Sequence, residues 1–257
     1  MKWPSHLVII RHGESAYNAL RAEKARSELY QEFLASFKAD YRSSNTVELA
    51  HEVRRQFALE YSDYATPLSE RGRKQALVTG CSLIETHIPK PDVVFVSPYL
   101  RTNQTFQGLL DGGWDVAGAR VVQEDRIREQ EHGLSLLYSD WRVFHALHPE
   151  QAELHSQLGP YWYQYPQGES VSMVRDRVRS FMNTLVREHS GQVVCLVSHH
   201  LTKLSIRSLL ERWPPEEFIR VDIHEKPVNC GITHYMGDPD SGLGGKLVLK
   251  EYNLKLW

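Results

Sequence analysis

Short runs of apolar residues alternate along the chain with longer segments in which apolar residues recur every three or four positions. The longest uninterrupted runs are Leu7–Ile10, Val93–Val96 and Val193–Val197. Such runs, rich in valine and isoleucine, are typical of strands buried on both faces of a sheet. A short strand is also predicted at Arg120–Gln123, and two edge strands are predicted at Gly231–Tyr235 and Leu247–Tyr252.

Serine residues mark the starts of two predicted helices. Ser69 and Ser170 are placed as N-caps, and a further helix is predicted over Leu201–Glu211. The apolar face of the helix after Ser69 is predicted to consist of Leu77, Cys81, Ile84 and Ile88. Strands that alternate with helices indicate an α/β fold, a three-layer α/β/α arrangement with a mostly parallel central sheet.

Two longer segments interrupt this alternation, at about residues 19–64 and 134–167. The first contains two amphipathic patterns separated near residues 42–45, which predict a pair of helices. The second is rich in tyrosine and tryptophan and has an irregular pattern, which fits either a lid or a surface helix with a structural aromatic cluster. Because no repeat and no linker is visible, we expect a single domain over residues 1–257, with both segments inserted over the sheet edge.

The composition is that of a globular protein without a strong charge bias. Hydrophobic residues make up 41% and charged residues 24% of the 257 residues, and the formal net charge is -2. These values exclude disorder as the main state. They also give no reason to expect nucleic acid or a membrane as partner, because phosphate-rich surfaces select a strongly basic face.

The cysteines and the amino terminus bear on the location of the protein. Cys81, Cys195 and Cys230 are widely spaced in apolar or helical contexts, and we predict buried free thiols in a reducing compartment. No secretory signal is visible before the first strand, and no apolar run is long enough to span a bilayer. We therefore expect a cytoplasmic protein.

Polar side chains follow the three longest apolar runs. Arg11 and His12 come after the first, Arg101 after the second and His199 after the third, with Glu129 in a loop between the last two. The carboxyl ends of parallel strands share one edge of a sheet, where α/β proteins bind their ligands. We expect these side chains to meet there, next to a glycine at position 13 that permits a close approach of the backbone to a ligand.

These residue types are suited to phosphoryl transfer through a nitrogen nucleophile. Arginine forks match phosphate oxygens and stay charged at any working pH. A neutral histidine can attack phosphorus, while a second, protonated histidine stabilises the equatorial oxygens. A carboxyl group can protonate the leaving oxygen and then deprotonate water.

Several motifs together resemble the histidine phosphatase superfamily, specifically its phosphoglycerate-mutase-like branch. They are Arg11-His12-Gly13-Glu14-Ser15 with Asn18, Ser97-Pro98 with Arg101-Thr102, and Ser198-His199. The resemblance implies that His12 is the nucleophile that becomes a phosphohistidine. It also implies that Arg11, Arg101 and His199 form the phosphate pocket, with Asn18 as a further donor.

The resemblance also implies a glutamate that acts as general acid and base. Glu129 is the preferred candidate, because Arg128, Glu129 and Gly133 match the spacing of the phosphatases in the family. Glu131, two residues further on, is the competing candidate.

The chain departs from the family pattern at two places. His200 stands where the family usually has a glycine, and it would either crowd the pocket and add a donor or point away from it. The stretch between Asn18 and Pro67 is longer than in typical mutases, and we expect the two insertions to cover the site and select the leaving group. Lys203 lies one helical turn after His199, where it would contact an anionic substrate or remain a solvated surface residue.

We predict no metal and no cofactor. His145 and His148 lie one turn apart, but neither they nor His132 and His155 have an acidic or cysteine partner at tetrahedral spacing. The proposed chemistry does not require a metal.

The predicted function is a phosphatase that hydrolyses a small phosphate monoester, with the phosphorylated substrate as its partner. The alternatives are a bisphosphoglycerate-dependent phosphoglycerate mutase and a non-catalytic phosphate-binding relative. Hydrolysis is favoured because residues 129–133 read Glu-Gln-Glu-His-Gly, whereas mutases carry Glu-Arg-His-Tyr-Gly. The sequence leaves the physiological substrate and the oligomeric state open.

Overall fold

The computed structural model describes residues 2–257, which form two compact units. The first unit contains the chain up to Ser15, Tyr64–Glu129 and Val174–Trp257. The second contains Ala16–Asp63 and Gln130–Met173, two stretches that overlap the predicted insertions at 19–64 and 134–167.

The first unit is built on a mixed sheet. Its strands are β1 His6–Arg11, β2 Val93–Val96, β3 Arg120–Gln123, β4 Val193–Ser198, β5 Ile232–Asp238 and β6 Lys246–Leu254. They lie in the order β3-β2-β4-β1-β5-β6, with β1 to β4 parallel and β5 antiparallel to its neighbours. The predicted mostly parallel sheet is confirmed. The prediction of an edge position for β5 is wrong, because β5 pairs with both β1 and β6.

Helices follow most strands. In chain order they are α1 Ala16–Lys24, α2 Glu28–Ala39, α3 Ser44–Gln56, α4 Glu70–Leu83, α5 Leu100–Asp111, α6 Trp141–Leu147, α7 Pro149–Leu158, α8 Val171–Glu188, α9 His200–Leu210 and α10 Pro215–His224. The predicted N-caps are confirmed, since the Ser69 side chain accepts from Gly72 N and the Ser170 side chain from Met173 N. Within residues 2–257, no helix is long and apolar enough to cross a membrane.

Alternate residues of the strands face two separate cores in the first unit. Leu7 and Ile9 of β1 pack in one core with Phe181 of α8. Val8 packs on the opposite face with Leu83 of α4. Helices therefore cover both faces of the sheet, and the predicted α/β fold is confirmed.

The buried face of α4 differs from the predicted one. Leu77 and Ile84 are 42% and 63% exposed, whereas Ala76 and Gly80 are buried. A Cβ atom on Gly80 would lie 2.3 Å from the carbonyl oxygen of Leu109 in α5, so the two helices meet through small residues. A pattern of large apolar side chains cannot reveal such a contact.

The cysteines agree only in part with the prediction. All are free, and Cys195 and Cys230 are buried as predicted. Cys81 is exposed, because it lies with Leu77 on the outer face of α4.

The second unit has a core of its own. The predicted helix pair is confirmed as α2 and α3, and α1 precedes it. Phe33 and Val53 from these helices pack with Tyr138 and Phe144 from the aromatic segment. For these aromatic residues the interpretation as a structural cluster is supported, while Trp162 is exposed.

Candidate active site

His12 directly follows strand β1 at the carboxyl edge of the sheet, and hydrogen bonds fix its backbone. His12 is only 3% exposed, and its N–H donates to the Ser198 carbonyl oxygen of β4 at 2.9 Å. Its own carbonyl accepts from Cys230 N at 3.2 Å and from the Asn229 side-chain amide at 3.1 Å. The position of the imidazole is therefore set by the sheet and by the loop before β5.

The glycine after His12 is required by the fold itself. A Cβ atom on Gly13 would lie 2.5 Å from the carbonyl oxygen of Gly72, at the start of α4. The close approach that the sequence predicted toward a ligand is thus an approach toward the chain's own backbone. Gly13 N also donates to Thr105 Oγ1 at 3.0 Å, and Thr105 donates to the Arg101 carbonyl at 2.6 Å.

Arg101 and His199 lie next to His12 in a buried cluster. The ring centroids of His12 and His199 are 5.2 Å apart, and His199 is fully buried. His199 Nε2 lies 2.7 Å from Ser97 Oγ, and the Tyr99 ring contacts His199 edge-on at 5.1 Å. The Arg101 guanidinium lies 4.7 Å from the centroid of the same tyrosine ring. Residues after β1, β2 and β4 are thus brought together.

Burial and positive charge keep both histidines neutral. Desolvation lowers the pKa of His12 well below its ordinary value, and the nearby Arg101 and Arg11 lower it further. The pKa of His199 is lowered for the same reasons, burial first and Arg101 next. A protonated second histidine, expected from the sequence, does not fit the ligand-free pocket. A bound phosphate dianion would raise both pKa values, since a nearby negative charge favours the protonated form.

The hydrogen bonds of the two rings show which ring nitrogens already have a partner. His12 Nδ1 lies 2.7 Å from the Gly13 carbonyl oxygen, which can only accept, so Nδ1 carries the proton. The lone pair of His12 is therefore on Nε2. The Nδ1 atom of His199 is buried and has no hydrogen-bond partner within residues 2–257, which leaves it for a ligand.

Glu129 lies at the amino terminus of α9, directly beside His199. Its carboxylate oxygens accept from His200 N and Leu201 N, each at 3.1 Å. Its carbonyl oxygen accepts from the Arg177 guanidinium at 3.2 Å. The competing Glu131 is exposed and belongs to the second unit. Of the two candidates, Glu129 is the one that the first unit holds beside the histidines.

Arg11 and Lys203 share one anchoring group. Lys203 is fully buried, and its Nζ donates to the Gly231 carbonyl at 2.7 Å. The same carbonyl accepts from Arg11 N at 3.2 Å, and the Arg11 guanidinium donates to the Pro227 carbonyl. The prediction that Lys203 could remain a solvated surface residue is wrong, because it lies within a stretch of α9, residues 202–208, that is buried. A contact of Lys203 with substrate stays a prediction.

His200 reaches toward α10 with its side chain. Its Nε2 atom lies 2.7 Å from Asp222 Oδ1, while its backbone N–H donates to Glu129. The ring therefore has a partner of its own, and the backbone of His200 serves the site.

Asn18 is half-buried on α1 in the second unit, and its role as a phosphate donor stays a prediction.

Several supporting residues were missed by the sequence reasoning. Thr105 connects Gly13 to Arg101, Tyr99 contacts both Arg101 and His199, and Arg177 fixes the backbone before Glu129. Tyr99 lies inside the family-like motif of Ser97-Pro98 and Arg101-Thr102, so its position in that motif could have marked it as a site residue. Thr105 and Arg177 lie within helices and carry no local signal.

The fold and this pocket define an α/β protein with a buried histidine pair and a buried arginine, Arg101, at the carboxyl edge of its sheet. Residues 56–242 match the family model described as the histidine phosphatase superfamily, branch 1. The chain belongs to this superfamily, and the resemblance drawn from its motifs is confirmed.

The similar proteins include both mutase-like proteins and phosphatases. A phosphoglycerate mutase-like protein of Arabidopsis thaliana is 31% identical over 62% of this chain and 61% of its own length. Phosphoserine phosphatase 1 of Hydrogenobacter thermophilus is 31% identical over 51% of this chain and 58% of its own length. The chain thus spans about three fifths of the length of these curated relatives.

Solved structures share the fold over nearly the whole chain. A putative α-ribazole-5'-P phosphatase of Escherichia coli superposes with a TM-score of 0.68 at 17% identity, covering 98% of this chain and 97% of its own. A mycobacterial glucosyl-3-phosphoglycerate phosphatase in complex with inorganic phosphate gives a TM-score of 0.63 at 20% identity, covering 98% of each chain. At these identities the likeness establishes the fold alone.

Proposed function

We propose that the protein is a phosphatase that hydrolyses a small phosphate monoester through a phosphohistidine on His12. The observation that carries the proposal is the buried pair of neutral imidazoles, His12 and His199, with ring centroids 5.2 Å apart beside Arg101. A nucleophilic nitrogen, a second imidazole donor and fixed positive charge are what attack on a phosphate dianion requires.

In the first step the phosphoryl group moves from substrate to enzyme. The lone pair on His12 Nε2 forms a bond to phosphorus while the bond from phosphorus to the alcohol oxygen breaks. Arg11 and Arg101 neutralise the phosphate oxygens, and His199 donates from Nδ1 to one of them. Glu129 in its protonated form gives its proton to the leaving oxygen, so the alcohol departs neutral.

In the second step water regenerates the enzyme. Glu129, now a carboxylate, removes a proton from a water molecule whose oxygen attacks phosphorus. The bond between Nε2 and phosphorus breaks, its electron pair returns to His12, and inorganic phosphate leaves. The backbone N–H groups of His200 and Leu201 orient the carboxylate through both steps.

Two observations favour hydrolysis over a mutase reaction. Residues 129–133 carry Gln130 and Glu131 where a mutase has an arginine and a histidine. Without these two residues the site would bind a carboxylated intermediate less tightly. A relative that is 31% identical over half of this chain is described as a phosphoserine phosphatase, the name of an enzyme that hydrolyses a phosphate monoester. The physiological substrate is therefore proposed only as a small phosphate monoester.

A chromogenic aryl phosphate tests the proposal directly. We expect turnover between about pH 5 and 8 in the presence of EDTA, and loss of activity by at least about a thousandfold in His12→Ala. His224→Ala, a change of an exposed histidine on α10, is the matched control and should keep full activity. Isomerisation of 3-phosphoglycerate with 2,3-bisphosphoglycerate, without phosphate release, would instead establish the mutase. Absence of both activities would refute a catalytic role.

A further inference from the structure

A second cluster of histidines lies beside the first half of β1, where His234 is paired with Val8. His87 lies in the loop after α4, His234 on β5 and Glu251 on β6, and the two strand residues are paired across the sheet. One potential ligand atom from each of the three side chains lies within 4.8 Å of the others. Sequence reasoning missed this cluster, because the three residues are far apart in the chain.

Two of these side chains have buried atoms without partners. His234 is 2% exposed, and its Nδ1 atom has no hydrogen-bond partner within residues 2–257. The same holds for Glu251 Oε2. Buried polar atoms in folded proteins are nearly always hydrogen-bonded, so two unpartnered atoms in one cluster indicate a missing ligand.

The other nitrogen of His234 is already held. His234 Nε2 lies 2.9 Å from His6 Nδ1, and the two rings are stacked with centroids 5.2 Å apart. Histidines that bind metals commonly donate their second ring N–H to a neighbouring acceptor, which fixes the tautomer and the ring orientation. His6 therefore supplies the supporting contact, and Nδ1 of His234 is left to bind.

We propose that His87, His234 and Glu251 form a binding site for a divalent transition metal, with zinc as the best match. Two imidazoles and one carboxylate are a common zinc ligand set, which leaves a fourth position for water. Calcium and magnesium prefer oxygen ligands and do not match.

Metal binding requires the ligand atoms to move closer together. Bonds of about 2.0 to 2.2 Å in a tetrahedral site place ligand atoms roughly 3.3 to 3.5 Å apart, less than the present separation. His87 can close the gap, because its side chain is 71% exposed and lies in a loop, with Nε2 3.8 Å from Glu251 Oε1.

The proposed site is separate from the phosphate pocket. His234 is paired with Val8 of β1, four residues before His12, so roughly 13 Å of extended strand lies between the two positions. A metal there would link the loop that carries His87 to β5 and β6. Its expected effect is on stability, and catalysis should not depend on it.

Zinc binding to the full chain, stripped with EDTA, tests the proposal by isothermal titration calorimetry. We expect one zinc ion per chain at this site, and affinity reduced at least about tenfold in His87→Gln and in Glu251→Gln. His224→Gln controls for an exposed histidine, and His12→Gln controls for binding in the phosphate pocket; both should keep the affinity of the wild type. Cobalt bound by the wild type should show the visible absorption of a tetrahedral site.

Thermal unfolding provides a second readout that does not involve activity. At a hundredfold excess of zinc over Kd, Tm should rise by roughly 5 °C in the wild type and stay unchanged in His87→Gln. His87 is exposed, so this variant is expected to fold. Equal zinc affinity of the wild type and the double variant His87→Gln, Glu251→Gln would overturn the proposal. Loss of zinc binding in His12→Gln alone would also overturn it.

Discussion

Arg11 of β1 is paired with Ser198 of β4 in a parallel register. The residues that follow this pair, His12 and His199, therefore leave neighbouring strands at the same level, and their rings lie 5.2 Å apart. A shift of the register by one residue would turn one of the two side chains toward the other face of the sheet. The pairing of β1 with β4 is thus the structural condition for the contact between the two histidines.

Glu129→Gln should separate the two candidate proton donors. Glutamine keeps the shape of Glu129 but cannot give a proton, so kcat should fall about a hundred- to ten-thousandfold. Glu131→Gln, with its exposed side chain, should change kcat less than about threefold. Steady-state kinetics with an alkyl phosphate and a nitrophenyl phosphate provide the measurement. The loss of kcat in Glu129→Gln should be larger with the alkyl phosphate, because its leaving oxygen needs the proton more than a nitrophenolate does. A large loss of kcat in Glu131→Gln, with little loss in Glu129→Gln, would assign the role to Glu131.

The activity should remain high on the acid side of neutral pH. His12 attacks only when neutral, so activity rises with pH through its pKa, and burial with Arg101 and Arg11 lowers that pKa below 6.5. The acid limb of kcat/KM assigned to His12 should therefore lie below pH 6.5. Arg101→Gln removes a positive charge that lowers the pKa of His12, so the remaining activity should show an acid limb at higher pH. An acid limb that stays in place in Arg101→Gln would contradict the assignment to His12.

His200→Gly tests whether the unusual residue after the second histidine acts through its ring. Glycine keeps the backbone N–H that donates to the Glu129 carboxylate, and it removes the side-chain contact with Asp222. We expect kcat to change less than about threefold and the free energy of unfolding to fall by about 1 to 2 kcal/mol. Asp222→Asn, measured by denaturant unfolding, should show a smaller loss of the same sign. A fall in kcat of a hundredfold in His200→Gly would place the ring in the reaction.

Gly72→Ala should damage the fold next to His12. A Cβ atom at position 72 would lie 2.0 Å from the carbonyl oxygen of Glu14, so the backbone of one segment has to move. Overpacking of this kind costs about 1 to 3 kcal/mol, and the shift should also reduce activity. Val78→Ala on the same helix is the control, since Val78 is 43% exposed and should change stability by less than about 0.5 kcal/mol. Equal stability of the two variants would contradict the proposed need for glycine.

The sequence by itself determined the strands that carry the site and the identity of the polar residues at their ends. Four apolar residues before Arg11 and His12, and similar runs before Arg101 and His199, are a local property of the chain. The rule that ligands bind at the carboxyl ends of parallel strands then places these residues at one edge of the sheet. The contact between His12 and His199 also requires β1 and β4 to be neighbours in the sheet.

Only the tertiary structure decided which side chains are buried and which partners they meet. The buried face of α4 is formed by small residues such as Gly80, whose fit depends on the path of α5. Lys203 is buried against the Gly231 carbonyl, although a lysine at a helical surface position is normally solvated. The pairing of His234 with Glu251 depends on the register of β5 and β6. These contacts are non-local, and a local pattern of apolar and polar residues carries no information about the distance between segments that are remote in the chain.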